Sequence, residues 1–249
     1  MHLNRQRAVP AAVLAVALAT GASACASGGG SSPGGTGASP TASKDPLTGV
    51  SSGQIISKAL ANTQAATSLD LHMVTTDSGR KLTIDFTIIH GKGCQGTMAE
   101  AGQGSAKIVY DGKTGWLEGD KAFWVSNGGN DPAVLSALAG KYLKTTDKSF
   151  TQSFTQFCDL THLLRGFTGG DNDGMPESHT TMDGQPAIEL KDTGDKAVMY
   201  VSDRAQPVFL EIDDPSSDGG DIHLSDYGAV SALTLPPASR VVDGKKYGL

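Results

Sequence analysis

The chain has 249 residues, with 26 acidic against 20 basic side chains and a formal charge of −6 at pH 7. An acidic chain with no basic patch lacks the electrostatic footprint of a nucleic-acid binder, and charge alone would not hold it on an anionic bilayer. Cysteine is scarce, at 25, 94 and 158, and no metal site or cofactor is expected from the composition.

The first 24 residues read as a signal peptide. Arg5 and Arg7 form a positive start, and Ala8 to Thr20 is an apolar run too short to span a bilayer comfortably. Ala22-Ser23-Ala24-Cys25 resembles a bacterial lipobox, which implies a diacylglyceryl group on the Cys25 thiol and cleavage before it. Ala22 stands where Leu is the commoner residue. The two arginines are not adjacent, which favours the general secretory route over the twin-arginine one. Cleavage lowers Lys+Arg from 20 to 18 against 26 acids, so the mature charge is −8 and the membrane anchor must be the lipid. The expected place is the outer face of the cell membrane.

Residues 25–48 then read as the lipidated cysteine and a Gly/Ser/Pro-rich linker, too poor in large apolar side chains to fold. A coil of that length reaches roughly 25–30 Å. Cys94 and Cys158 remain in a compartment that permits disulfides and are expected to pair.

The domain, 49–249, opens with an amphipathic helix. Ser51 and Ser52 are cap candidates, and Ile55, Ile56, Ala59, Leu60, Thr63 and Ala66 recur at helical spacing. The period then changes to two. Leu69, Leu71 and Met73, and after the Asp77-Ser78-Gly79 turn Leu82, Ile84, Phe86 and Ile88, alternate with polar residues as in a hairpin with one apolar face. Short strands are expected near 95–99, 106–111 and 114–118. Asp131-Pro132 opens a short helix through Ala139, and Lys141–Thr145 reads as a strand. Residues 147–167 read as one or two helices carrying Phe150, Phe154, Phe157, Leu160, Leu163 and Leu164. Strands return near 177–182, 187–192, 197–202, 208–212 and 221–227. Pro236-Pro237 stops the sheet, and Leu233, Leu235, Val241 and Val242 tuck the tail against the core. The fold class is therefore α+β: a long antiparallel meander interrupted by helices that cover its apolar face, in an open half-barrel.

Several segments carry a further signal: Gly93-Cys94-Gln95-Gly96, Phe123-Trp124, Gly140-Lys141-Tyr142, Phe157-Cys158-Asp159-Leu160, Asp183-Gly184-Gln185-Pro186-Ala187 and Leu224-Ser225-Asp226-Tyr227-Gly228. Over roughly residues 52–243 the chain resembles lipoproteins of high-GC actinobacteria and the LolA/LolB and LppX/LprG lipid-carrier fold. In such proteins the half-barrel holds acyl chains or lipidated molecules between sheet and helices. The resemblance thus implies a membrane-tethered, non-enzymatic binder of a lipid or another hydrophobic ligand. The alternative is a docking or sensor module that uses the curved sheet to hold a protein partner.

The chemical motifs are weaker. Gly91 to Gly96 matches G-x-G-x-x-G but has no helical stripe after it, so a hairpin turn is expected. Gly30-Ser31-Ser32-Pro33-Gly34 matches G-x-S-x-G inside the linker, away from any strand or helix. The acidic loops Asp171–Gly174 and Asp213–Asp221 lack a complete calcium-binding series. His223 and Ser225 would share a strand face while Asp226 points away, so no catalytic triad is assembled and no catalytic residue is assigned. The candidate ligand-facing residues are the apolar set Leu71, Met73, Ile84, Phe86, Ile88, Trp116, Phe123 and Trp124.

If Cys25 carries the anchor, Cys25→Ala should abolish metabolic labelling by an alkynyl palmitate and leave the chain unprocessed. Labelling that survives the substitution would refute the lipobox.

Overall fold

Two ten-residue strands set the frame. The computed structural model describes residues 46–164, 172–194, 196–215 and 220–247. In it β1 (Ser68–Asp77) and β2 (Arg80–Ile89) pair antiparallel along their whole length. The expected signal peptide, Cys25 and the expected linker up to residue 45 lie outside the described residues, as do Phe167, Asp171, Asp218 and the side chain of Phe150.

The meander continues through β3 (Gly93–Glu100), β4 (Gly104–Tyr110) and β5 (Gly115–Gly119). After α2 (Lys121–Ser126) and α3 (Pro132–Leu138) comes β6 (Tyr142–Thr145). Then α4 (Lys148–Cys158) and α5 (Leu160–Leu163) lead to a second meander: β7 (Glu177–Met182), β8 (Gln185–Lys191), β9 (Val198–Ser202), β10 (Phe209–Asp213) and β11 (Gly220–Ser225). A last strand, β12 (Val241–Asp243), returns beside β6. Among the described residues these form one unclosed sheet in the order β12-β6-β5-β4-β3-β2-β1-β11-β10-β9-β8-β7. All pairings are antiparallel except β12 with β6. The two meanders join where β1 pairs with β11, Leu71 opposite Leu224 and Met73 opposite Ile222.

Alternation sorts each strand into two faces. One cross-strand row runs Leu69, Ile88, Cys94, Tyr110, Gly115, Thr145, and the next runs Leu71, Phe86, Gly96, Ile108, Leu117, Leu143. These rows face the helices and form the core with Ile55, Ile56, Phe154, Leu160 and Leu164. Gly96 marks the closest approach. A Cβ there would stand 2.6 Å from Cδ1 of Phe86 and 1.9 Å from the Asp85 carbonyl oxygen. Only glycine lets the Phe86 ring fold down over its neighbouring strand.

The first helix, α1 (Ser52–Ala65), is capped by Ser51, whose Oγ accepts from Gln54 N. Its far end is fixed by polar contacts: Asn62 Nδ2 donates to the Pro207 carbonyl, and Phe209 N donates to Thr63 Oγ1. The hydroxyl of Tyr227 donates to the Phe209 carbonyl beneath it, and burial pushes its phenol well above the usual tyrosine value. The core starts earlier than the expected boundary at 49: Leu47 is 4% exposed and accepts at its carbonyl from Val50 N. One leucine at the end of the linker is enough to plug the sheet–helix layer.

The expected disulfide is present. Cys94 of β3 and Cys158, the last residue of α4, are bonded with Cα atoms 5.3 Å apart, clipping helix to sheet. The tail differs from expectation. Val242 packs on the core, but Leu235 is 56% exposed and a twelfth strand follows the two prolines. An edge strand tolerates this, because prolines upstream of it remove no ladder bond.

Replacing both Cys94 and Cys158 by Ala should lower the unfolding free energy by about 4 kcal/mol, the loop-closure value for a bridge of this span. Urea titration of oxidised and variant chains measures it, and a difference below about 1 kcal/mol would show that the bridge closes no costly loop.

Candidate ligand-binding site

The concave face is where apolar side chains converge. Leu71, Met73, Ile84, Phe86 and Ile88 all point to the helical side, none more than 7% exposed. They meet as cross-strand pairs, Leu71 with Phe86 and Met73 with Ile84. The second meander extends the surface. Ile222, Ile212, Met199 and Leu190 lie side by side across β11 to β8, with Phe209, Val201 and Ile188 in the adjoining row. None of these seven is in the sequence-derived set, although period-two alternation in the last strands was enough to mark them.

Trp116 requires a correction. It pairs with Val109, while its neighbours Gly115 and Leu117 pair with Tyr110 and Ile108 on the helical side. Alternation therefore sends Trp116 to the opposite, convex face. It is only 8% exposed there because the tail crosses that face. Val230 N donates to Ser68 Oγ, Lys92 Nζ to the Ser231 carbonyl, and Thr234 N to Gln95 Oε1. Trp116 thus lines a cleft of about 530 Å³ with Leu235, Pro236 and Val241, apart from the half-barrel interior.

Phe123 and Trp124 do lie on the helical side, through α2, a helix absent from the sequence reading. Their rings meet edge to face with centroids 5.2 Å apart. Asp120 caps α2, accepting from Phe123 N at 2.7 Å, and also accepts from Ser105 N and Oγ at the start of β4. Burial pushes this carboxyl up, but the donors from Phe123, Ser105 and Ala122 outweigh it and hold it below the ordinary carboxylate value. Asp120 before the apolar pair and Asn127-Gly128 after it are the start and stop signals that could have revealed the helix.

Between α2 and α3 a cleft of about 520 Å³ opens, lined mostly by apolar groups of Gly119, Trp124, Val125, Pro132, Leu135 and Ala139. Val125 is 41% exposed at this end. Gly119 is required here, since a Cβ would come within 2.3 Å of the Phe123 ring and 3.0 Å of Cε2 of Trp124. Trp124 Nε1 is buried and has no hydrogen-bond partner among the described residues. An orphaned donor of this kind costs about 1–3 kcal/mol. A second opening of about 410 Å³ lies at the disulfide end, where Ile88, Tyr110, Thr155, Cys158 and Leu160 meet.

The polar candidates take up other roles. His223 Nε2 meets Asp183 Oδ2 at 2.6 Å, whereas Ser225 Oγ donates to Asp226. His72 Nδ1 meets Asp85 Oδ1 at 2.5 Å on the convex face. In the Asp171–Gly174 loop, Asp173 Oδ1 accepts from Ser51 Oγ and the Asn172 carbonyl accepts from Ser52 Oγ, so the loop closes over the start of α1. The G-x-G-x-x-G residues run from a turn into β3, as expected for a hairpin.

With this geometry the chain is similar to several solved structures. LprF from Mycobacterium bovis superposes with a TM-score of 0.51 at 13% identity, over 75% of this chain and 96% of that one. An uncharacterized conserved protein from Thermus thermophilus gives 0.33 at 10% identity, over 76% and 96%. A DUF1329 family protein from Desulfovibrio piger gives 0.25 at 13%, over 74% and 92%. No protein-family model and no curated protein matches the sequence. The fold is that of LprF, as the resemblance in the sequence implied.

Asp120→Ala should destabilise the domain by about 1 kcal/mol at pH 7, as for loss of a helix cap. A carboxyl held low in the folded state contributes stability above its unfolded value of 3.8 and loses it as pH falls through the lower folded value. The gap between wild type and variant should therefore close on acidification below that point, as urea midpoints measured across the acid range will show.

Proposed function

We propose that this is a membrane-tethered, non-enzymatic binding protein that accommodates a lipid or another hydrophobic molecule on the concave side of its half-barrel. One observation carries the reading. An apolar surface runs across the sheet from β6 to β8, covered by α1 and the shorter helices, and a cleft with a mostly apolar wall lies between α2 and α3.

The lipobox at Ala22–Cys25 supports an anchor on Cys25, and the described residues include no helix long and apolar enough to cross a membrane. The linker ahead of Leu47 would let the domain move between membrane and wall while the lipid stays seated. Ligand affinity would come from apolar burial, at about 25 cal/mol per Å² removed from water. No nucleophile–base pair enters this reading and no cofactor is needed.

The test is native mass spectrometry on the mature chain from Ala26, exported in its own host behind an ordinary signal peptide and purified without detergent. A stoichiometric lipid adduct is the expected result. A chain that leaves the envelope empty, and that stays empty when offered total envelope lipid, would sink the carrier reading. It would transfer the weight to the protein-docking alternative.

A further inference from the structure

The chain is acidic, yet the fold gathers a cationic patch that the sequence does not show as a run. Lys144 stands on β6 and Lys148 opens α4, while Lys245 and Lys246 lie in the short turn of helix Gly244–Tyr247 after β12. The parallel pairing of β12 with β6 sets Asp243 beside Lys144 and brings these two distant stretches together. Lys144, Lys148 and Lys245 line a cleft of about 640 Å³, and Lys144 and Lys246 line the adjoining cleft of about 530 Å³. All four lysines are exposed, and none is ion-paired among the described residues. Arg80, Lys107, Lys191 and Arg240, by contrast, each meet a glutamate. The acids in the two clefts are Asp147 and Asp243, and Asp243 Oδ1 already accepts from Lys245 N. Four cations against two carboxylates leave this edge positive.

An apolar strip adjoins the lysines. Lys144 is the cross-strand neighbour of Trp116, and Trp116 shares the 530 Å³ cleft with Leu235, Pro236 and Val241. Leu235 is 56% exposed, the more exposed of the two large apolar side chains that stand in water among the described residues. Pro236 and Pro237 stiffen the backbone behind it, and Thr234 N is fixed to Gln95 Oε1 ahead of it. The leucine is therefore held outward beside the lysines. A dissolved polyanion would engage the lysines and leave Leu235 in water. A protein partner would have to match acids and an apolar socket to this spacing. An anionic bilayer offers phosphates at its surface and hydrocarbon just beneath them, at any lateral spacing.

We propose that the β6–β12 edge is a docking face for an anionic lipid bilayer, with Leu235 entering the interface and Lys144, Lys148, Lys245 and Lys246 lying among the lipid phosphates. The partner is the bilayer surface, not a ligand inside the half-barrel. In an acidic chain such a patch orients the domain rather than retaining it. A lipid on Cys25 would do the retaining, and would raise the effective concentration of the patch at the surface so that a weak contact suffices. The inference rests on the membrane-tethered part of the proposed function and needs no bound ligand.

The test uses the anchor-free chain from Ala26, so its outcome is separate from the labelling of Cys25. The chain is sedimented with vesicles of phosphatidylcholine alone and with vesicles of phosphatidylcholine and phosphatidylglycerol in equal parts. Binding to the anionic vesicles only, weakening as salt is raised, is expected. Lys144→Gln with Lys246→Gln should weaken it about thirtyfold, at about fivefold per lysine. Lys58→Gln with Lys113→Gln removes the same charge from exposed positions elsewhere and should leave binding unchanged. Leu235→Ser should weaken it about tenfold. All five positions are exposed, and urea midpoints check that each variant folds as the parent does. Absence of binding to the anionic vesicles, equal binding to both kinds, or equal losses from the two lysine pairs overturns the docking face. Leu235→Ser binding as tightly as the parent reduces the face to an anion site and overturns the bilayer. A dimer formed without vesicles and dissolved by Lys144→Gln with Lys246→Gln assigns the face to a second copy, which also overturns it. In each of these failures a labelled Cys25 and a lipid adduct on the envelope-purified chain would still stand, so the proposed function is judged apart.

Discussion

A single curved sheet with two unpaired edges cannot bury its own apolar face, and everything else in this domain answers that constraint. Barrels remove the problem by closing and sandwiches by stacking a second sheet. Here the cover is one long helix, α1, and a set of shorter ones inserted between β5 and β7. The cover holds because it is fastened at fixed points: the Cys94–Cys158 bridge, the Thr63 and Asn62 contacts to the β9–β10 loop, and the Asp120 cap. Each is covalent or a hydrogen bond to otherwise unsatisfied backbone, and each fixes a helix at one end only.

The convex side obeys the same constraint by a different device. Ile89, Val109 and Trp116 would be an exposed apolar strip on β2, β4 and β5, and the tail from Gly228 to Arg240 lies across them instead. Arg240 ends this strap, stacking over Tyr142 at 5.4 Å and pairing with Glu118. Beyond the strap, the convex face of β1 and β8 to β11 carries His72–Asp85, Glu189 with Lys191 and Tyr200, and His223 with Glu211 and Asp183. This half of the outer surface is charged and self-paired. On the convex face the apolar side chains gather under the strap, at Ile89, Val109 and Trp116.

What was legible in the sequence follows the length and period of each signal. The long alternating runs at 69–74 and 82–88 located β1, β2 and the concave residues on them, and cysteine arithmetic located the bridge. Helix α2 escaped because six residues give no repeat, although Asp120 and Asn127-Gly128 bracket it. Strand β12, at three residues, carries no period at all. Trp116 was misplaced for a different reason: hydrophobicity says that a side chain is buried but not on which face. The bridge could have settled it, because Cys94 must face α4. Its row passes through Tyr110 to Gly115, which leaves Trp116 on the other side.

Stability and access are distributed unevenly along the half-barrel. At the disulfide end, the Cys94–Cys158 bond joins α4 to the sheet, so parting them would require breaking it or moving both elements together. At the other end, α2 and α3 are helices of six and seven residues, each capped by one aspartate, held by the burial of Phe123, Trp124 and Leu138 and by Ser126 Oγ donating to the Gln103 carbonyl. Short elements with few buried side chains open at the lowest free energy in a domain. Trp124 lies at this margin, so the α2–α3 cleft sits in the least constrained part of the fold.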